Sequence, residues 1–202
     1  MKLFIHFCAF GFSNCYVLGE GSEAIIIDPG SMDESVIKSI EDNNYTLAGV
    51  FITHGHLNHF HGIKTLKKIY DAEIYSISPE IQDYRAIPLK DGEIIRSGSM
   101  NVEVITVPGH SADSAVFRVD RMLFTGDALT AGLVGETASI YGSVNQMTAL
   151  RGKILSLPGY HSVFPGHGPP TSLDAERRFN SGINDYRDYN TQRSRYRAEV
   201  YF

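Results

Sequence analysis

Apolar and polar positions along this chain change period repeatedly, and the changes mark out its elements. Residues 2–7, 15–18 and 24–27 are short β-rich runs separated by turns at Gly11, Asn14, Gly19 and Gly21. A short helix is expected at 35–42 and a buried apolar strand at 49–52. Helical spacing then returns, with Ile63, Leu66 and Ile69 on one face and Lys64, Lys67 and Lys68 on the other. A second β-rich half starts near 73–76 and continues through 102–107, 115–119 and 122–124. A helix is expected at 146–155 and a strand at 161–164. Thr171-Ser172-Leu173-Asp174 reads as a capping box opening a last helix to about Phe179. Short β-rich runs thus alternate with helical ones along the chain.

Several of these apolar strands end alike. They run into Asp28-Pro29-Gly30, Thr53-His54, Pro108-Gly109-His110, Thr125-Gly126-Asp127 and Pro165-Gly166-His167. Each ending puts an ionisable or metal-binding side chain just past a strand, beside a Gly or Thr that permits a sharp turn. Loops on a rigid sheet are where sites are built. The second ending opens the densest cluster in the chain, Thr-His-Gly-His-Leu-Asn-His at 53–59, with three histidines in six positions. Imidazoles suit zinc and iron, and three of them leave room for water or substrate.

The 202 residues fit one large domain that needs no disulfide framework, and the formal charge of −5 disfavours nucleic acid as a general partner. Cys8 and Cys15 are expected to be buried free thiols on early strands, with a single disulfide or a reactive pair as the alternative. The apolar start is broken by His6, and Gly11-Phe12-Ser13-Asn14 reads as a turn rather than a cleavage site. No apolar run approaches the ~20 residues of a membrane span. A cytoplasmic protein with a small-molecule substrate, and neither membrane nor nucleic acid as partner, is the expectation. The Tyr- and Arg-rich end, residues 181–202, is expected to pack as a tail or helix on a domain spanning 1–180.

Taken together, the segments at 53–59, 108–111, 125–128 and 165–169, with Asn14-Cys15-Tyr16 and Asp28-Pro29-Gly30, resemble the metallo-β-lactamase superfamily. Within it the chain is most similar to short, single-domain glyoxalase II-like hydrolases. The resemblance spans about residues 3–180 and implies an α/β fold, an αββα sandwich of two mixed sheets with helices outside. It implies one metal on His54, His56 and His110, and a second on Asn58, His59 and His167, bridged by Asp127. Asp28 would support the site without ligating. Zinc, as one or two ions, is the implied cofactor, with iron or manganese as alternatives. The catalytic positions are those of Asn58 and Asp127, and the implied reaction is hydrolysis of a thioester or small ester-like substrate.

Three departures qualify the substrate. The family's aspartate is Asn58 here, which keeps the shape but loses the charge, and its NH2 cannot act as a base. The second site is then weak, or the enzyme runs on one metal, or hydrolysis is lost. The family's Gly-Arg-x-Asp loop reads Val134-Gly135-Glu136-Thr137-Ala138, and 35 residues after His167 leave no room for a glutathione-gripping helical domain. A mononuclear iron enzyme of the persulfide dioxygenase type and a non-catalytic binding descendant are the alternative readings. His61 is expected to turn aside from the site. Tyr141 and Tyr160 are open as pocket residues, and His6 and His161 are expected to be structural.

Overall fold

A computed structural model describes residues 1–184; the Tyr- and Arg-rich run from Tyr186 onward lies outside the described residues. The first half runs β1 (Lys2–Cys8), β2 (Ser13–Glu20), β3 (Glu23–Ile27), α1 (Glu34–Glu41), β4 (Thr46–Phe51), α2 (Leu57–Phe60), α3 (Ile63–Ile69) and β5 (Ile74–Ser76). A small hairpin of β6 (Glu80–Ile81) and β7 (Tyr84–Arg85) leads to β8 (Ile87–Pro88). The second half runs β9 (Ile94–Ser97), β10 (Met100–Thr106), β11 (Ala115–Val119) and β12 (Met122–Gly126), then a hairpin of β13 (Leu129–Thr130) and β14 (Leu133–Val134). It closes with α4 (Ile140–Ala149), a π-helical turn at Leu150–Ile154, β15 (Ser162–Pro165), β16 (Thr171–Ser172) and α5 (Leu173–Phe179).

Two mixed six-stranded sheets result, ordered β1-β2-β3-β4-β5-β8 and β16-β15-β12-β11-β10-β9. The alternation along each strand decides the layers. Ile25 and Ile27 of β3 face the same core as Val102, Val104, Phe117 and Phe124 of the other sheet. Ala24 and Ile26, one step out of phase, face the opposite way and pack with Val36, Ile40, Ile63 and Leu66 of α1 and α3. On the far side Ile105, Val116, Leu123 and Val163 pack with Met147, Leu150, Ile154 and Leu173. This is the expected αββα sandwich. Each such fully buried aliphatic side chain contributes about 1.5–3 kcal/mol.

Local signals place the helix starts. The Asp33 carboxylate accepts from the backbone N–H groups of Ser35 (3.0 Å) and Val36 (3.2 Å), so α1 opens one residue before the expected position. In α5 the cap is Ser172 rather than Thr171; its hydroxyl accepts from Ala175 N–H at 3.2 Å. The helix expected at 146–155 begins earlier, at Ile140, because Ser139 caps it at Gly142 N–H. Its opening apolar residues Ile140 and Tyr141 are exposed, which hides that first turn from any periodicity argument. Ile69 likewise points outward rather than sharing the buried face of Ile63 and Leu66. Cys8 and Cys15 are free and buried on β1 and β2, as expected. Among the described residues no helix is long and apolar enough to cross a membrane.

Candidate metal centre

Strand direction sets where the candidate side chains go. β3 and β4 are parallel, β12 and β15 are parallel, and β10 runs with β12 across antiparallel β11. Their C-terminal ends gather at one end of the sandwich, where the chain passes into Asp28, His54, His110, Asp127 and His167. Two backbone bonds join the sheets there: Ala115 N–H donates to the Thr53 carbonyl (2.9 Å), and Asn14 N–H to the Gly166 carbonyl (2.7 Å).

His54 Nε2 and His110 Nε2 each stand 2.9 Å from His56 Nδ1. Asp127 Oδ2 lies 3.7 Å from His54 Nε2 and 3.6 Å from His110 Nε2. The same oxygen is 3.5 Å from both His59 Nε2 and His167 Nε2. One carboxylate oxygen is thus shared by two groups that can hold a metal ion: His54, His56, His110 and Asp127, and His59, Asp127 and His167. Tetrahedral zinc with ligands about 2.0–2.1 Å away holds them about 3.3 Å apart, and the spacings in the first group straddle that value.

Neighbouring atoms decide which ring nitrogen faces the centre. A carbonyl only accepts, so His110 Nδ1 donates to the Glu136 carbonyl (2.8 Å) and His167 Nδ1 to the Phe12 carbonyl (2.8 Å). His59 Nδ1 donates to Asp28 Oδ2 at 2.9 Å. Thr53 Oγ1 gives its proton to that same Asp28 oxygen (2.7 Å) and accepts from His54 Nδ1 (3.1 Å). Each of these four rings, when neutral, turns an Nε2 lone pair inward, which is the orientation outer-shell partners impose on ligating histidines.

Electrostatics agree with that division. Burial, the largest influence, holds His54 down to about 2, so it is neutral at ordinary pH; burial also lowers His56. Burial resists ionisation of Asp127, but His59 and the other nearby histidines outweigh it and keep the carboxyl at about 2. Burial opposes charge on His59 too, yet the carboxylates of Asp28 and Asp127 on either side push it up to about 10. His59 Nε2 and Asp127 Oδ1 are buried without a hydrogen-bond partner. Orphaned buried polar atoms are costly, and a cation would satisfy both. The donor set fits a metal.

Asp28 is the organiser. It is buried, its backbone sits at φ 51°, and its Oδ1 accepts from Thr53 N–H at 2.8 Å. Holding a non-glycine residue there costs about 1–3 kcal/mol, a strain typical of functional sites. Asn58 places its amide nitrogen 2.9 Å from His167 Nε2, beside the second group. His61 lies outside both groups and stacks on Phe10 with ring centroids 4.2 Å apart. Tyr141 and Tyr160 are exposed, and His6 bonds Ser35 and Ser39 on α1. The contributions of Thr53, Phe12 and Glu136 were not foreseen. Thr53 borders His54 in sequence, but the other two act through backbone carbonyls that carry no side-chain signal.

The family model of the metallo-beta-lactamase superfamily matches residues 8–201. An uncharacterized protein of Mycobacterium tuberculosis is 32% identical over 83% of this chain and 91% of its own length. A hydroxyacylglutathione hydrolase of Haemophilus influenzae is 29% identical, over 85% and 92% respectively. Among solved structures, the B3 metallo-beta-lactamase BLEG-1 superposes with a TM-score of 0.81 at 24% identity, covering 90% of this chain and 99% of that one. ETHE1 from Myxococcus xanthus gives 0.78 at 25% identity, covering 90% and 84%. The chain belongs to the metallo-beta-lactamase superfamily. It is a hydrolase-like member with a glyoxalase II-like relation and a candidate His/Asp metal site.

Proposed function

We propose that this chain is a metal-dependent hydrolase of a thioester or small ester-like substrate. The observation that carries the proposal is the convergence of His54 Nε2, His56 Nδ1, His110 Nε2 and Asp127 Oδ2 at the open end of the sandwich. These four residues would hold one divalent cation, zinc by the donor chemistry, with iron and manganese as alternatives. His59, Asp127 and His167 would hold a second. When bound, such a cation supplies an acidified water and polarises a carbonyl.

The rest falls to the chain. Asp28 fixes His59 directly and His54 through Thr53, while the carbonyls of Glu136 and Phe12 aim His110 and His167. Asp127 stays anionic and supplies negative charge at the junction of the two groups. Phe12, whose carbonyl holds His167, leaves its apolar ring exposed. The relation to a hydroxyacylglutathione hydrolase supports a thioester. The test is a panel of acyl-glutathione, acyl-coenzyme A and aryl ester substrates offered to zinc-loaded protein, with thiol or phenol release followed. Turnover that His110→Ala abolishes is expected; a fully loaded protein that cleaves no member overturns the proposal.

A second reading, oxygenation of a persulfide at a single iron, is favoured by the likeness to ETHE1 and by the neutral Asn58 in the second group. It requires purified protein with about one iron per chain that consumes oxygen with a persulfide. Two colourless zinc ions per chain would exclude it.

A further inference from the structure

We infer that Asn58 acts as a stopper on the second metal position, donating its amide N–H to the lone pair of His167 so that the chain holds one metal tightly and a second only weakly. The inference rests on the metal-centre reading but not on hydrolysis.

The direction of the bond follows from its surroundings. His167 Nδ1 is spent as a donor on the Phe12 carbonyl, so Nε2 only accepts. Asn58 Nδ2 stands 2.9 Å from that Nε2, and an amide nitrogen only donates. A metal ion and an N–H proton cannot use one lone pair together. Entry at the second group therefore requires the bond to break and the amide to turn, and what it then presents is a neutral oxygen.

The stopper is held in place from behind. A Cβ on Gly11 would come within 2.4 Å of Asn58 Cβ, so the β1–β2 turn packs directly on the stem of the side chain. Gly11 reaches this approach at φ 69°, a conformation glycine adopts without cost. Two residues on, Ser13 Oγ donates to the Asn58 carbonyl at 2.6 Å, while Phe12 between them holds His167. One turn thus grips both members of the pair. An aspartate at this position would carry no donor at neutral pH and would add an anionic oxygen. The first group differs in kind: His56 Nδ1 stands 2.9 Å from both His54 Nε2 and His110 Nε2, but an imidazole can carry its proton on Nε2 and turn an Nδ1 lone pair inward, which an amide nitrogen cannot do.

Isothermal titration of metal-stripped protein with zinc alone tests this. Wild type is expected to take one equivalent tightly and a second at least about 100-fold more weakly, the scale on which shell changes alter metal affinity. Asn58→Asp should bring the second equivalent to within about tenfold of the first. Asn58→Ala is the sharper variant, because it removes a donor and a neutral oxygen together. A stopper predicts that the second zinc binds more tightly in this variant, by about tenfold for one lost hydrogen bond. A residue that merely ligates or shapes the loop predicts weaker binding. His167→Ala should keep the first affinity and lose the second. Two equal equivalents in wild type, or a weaker second zinc in Asn58→Ala, would overturn the inference. Absence of any tight zinc in wild type would overturn the metal-centre reading as well, whereas tight zinc without hydrolysis would count only against the proposed reaction.

Discussion

Replacing Asp28 with asparagine changes one atom and disturbs both metal groups. The Oδ1 side keeps its bond from Thr53 N–H, but the other side now presents an NH2 to two atoms that had donated to it, Thr53 Oγ1 at 2.7 Å and His59 Nδ1 at 2.9 Å. Thr53 Oγ1 already accepts from His54 Nδ1, so it can accommodate a second donor only by leaving its own proton unpaired. Without the Asp28 carboxylate His59 loses one of the two charges that favour its protonated form, and a neutral ring can accept from the new amide only with its proton on Nε2, which leaves no lone pair facing Asp127. Two buried bonds to a charged group at about 1.5–3 kcal/mol each, partly recovered by rearrangement, give an expected loss of about 2–5 kcal/mol. Urea unfolding of metal-stripped protein reads that loss, and zinc titration of the same variant should show affinity down by about 10–100-fold. Asp28→Asn with an unchanged midpoint and unchanged zinc affinity would refute the assignment of Asp28 as organiser.

Gly166→Ala should strike the centre from another side, since the added Cβ would lie 2.4 Å from Asp127 Oδ1 and 2.6 Å from His59 Cε1. Overpacking of this kind costs about 1–3 kcal/mol in a fold that survives, so circular dichroism should stay native while zinc binding collapses. His61→Ala, by contrast, removes only a ring stacked on Phe10, and zinc titration should give the wild-type first affinity. Chelation should lower the melting temperature, because free metal at about 100 times its Kd adds about 2.7 kcal/mol of stability; identical melting curves with and without chelator would count against a structural coupling of metal and fold.

β3 (Glu-Ala-Ile-Ile-Ile) and β11 (Ala-Val-Phe-Arg-Val) are apolar on both faces, so the chain marks them as buried strands without saying which face meets which layer; the structure turns Ile25 to the central core and Ile26 to the helices. The strand endings carried part of the site: parallel pairing sets Asp28 beside His54 on one sheet and Asp127 beside His167 on the other, and the stacking of the two sheets joins the pairs. Other features left no such trace. β6, β7 and β8 are two-residue pairings in a polar stretch, and the start of α4 is written in exposed apolar residues that mimic a loop. The Phe12 and Glu136 carbonyls hold ligands through atoms every residue possesses. The amide at Asn58, where the family that the 53–59 segment resembles has a carboxylate, was legible through that resemblance. That this amide faces His167, whose other nitrogen is already committed, required the three-dimensional arrangement of residues far apart in sequence.

The central claim is that three imidazole nitrogens and one carboxylate oxygen, brought together from three strand endings, form one metal site. A crystal grown from protein loaded with zinc, measured across the zinc absorption edge, addresses it directly. An anomalous peak bounded by His54 Nε2, His56 Nδ1, His110 Nε2 and Asp127 Oδ2 is expected. Zinc bound elsewhere, with those four atoms hydrogen-bonded to one another or to water alone, would contradict it.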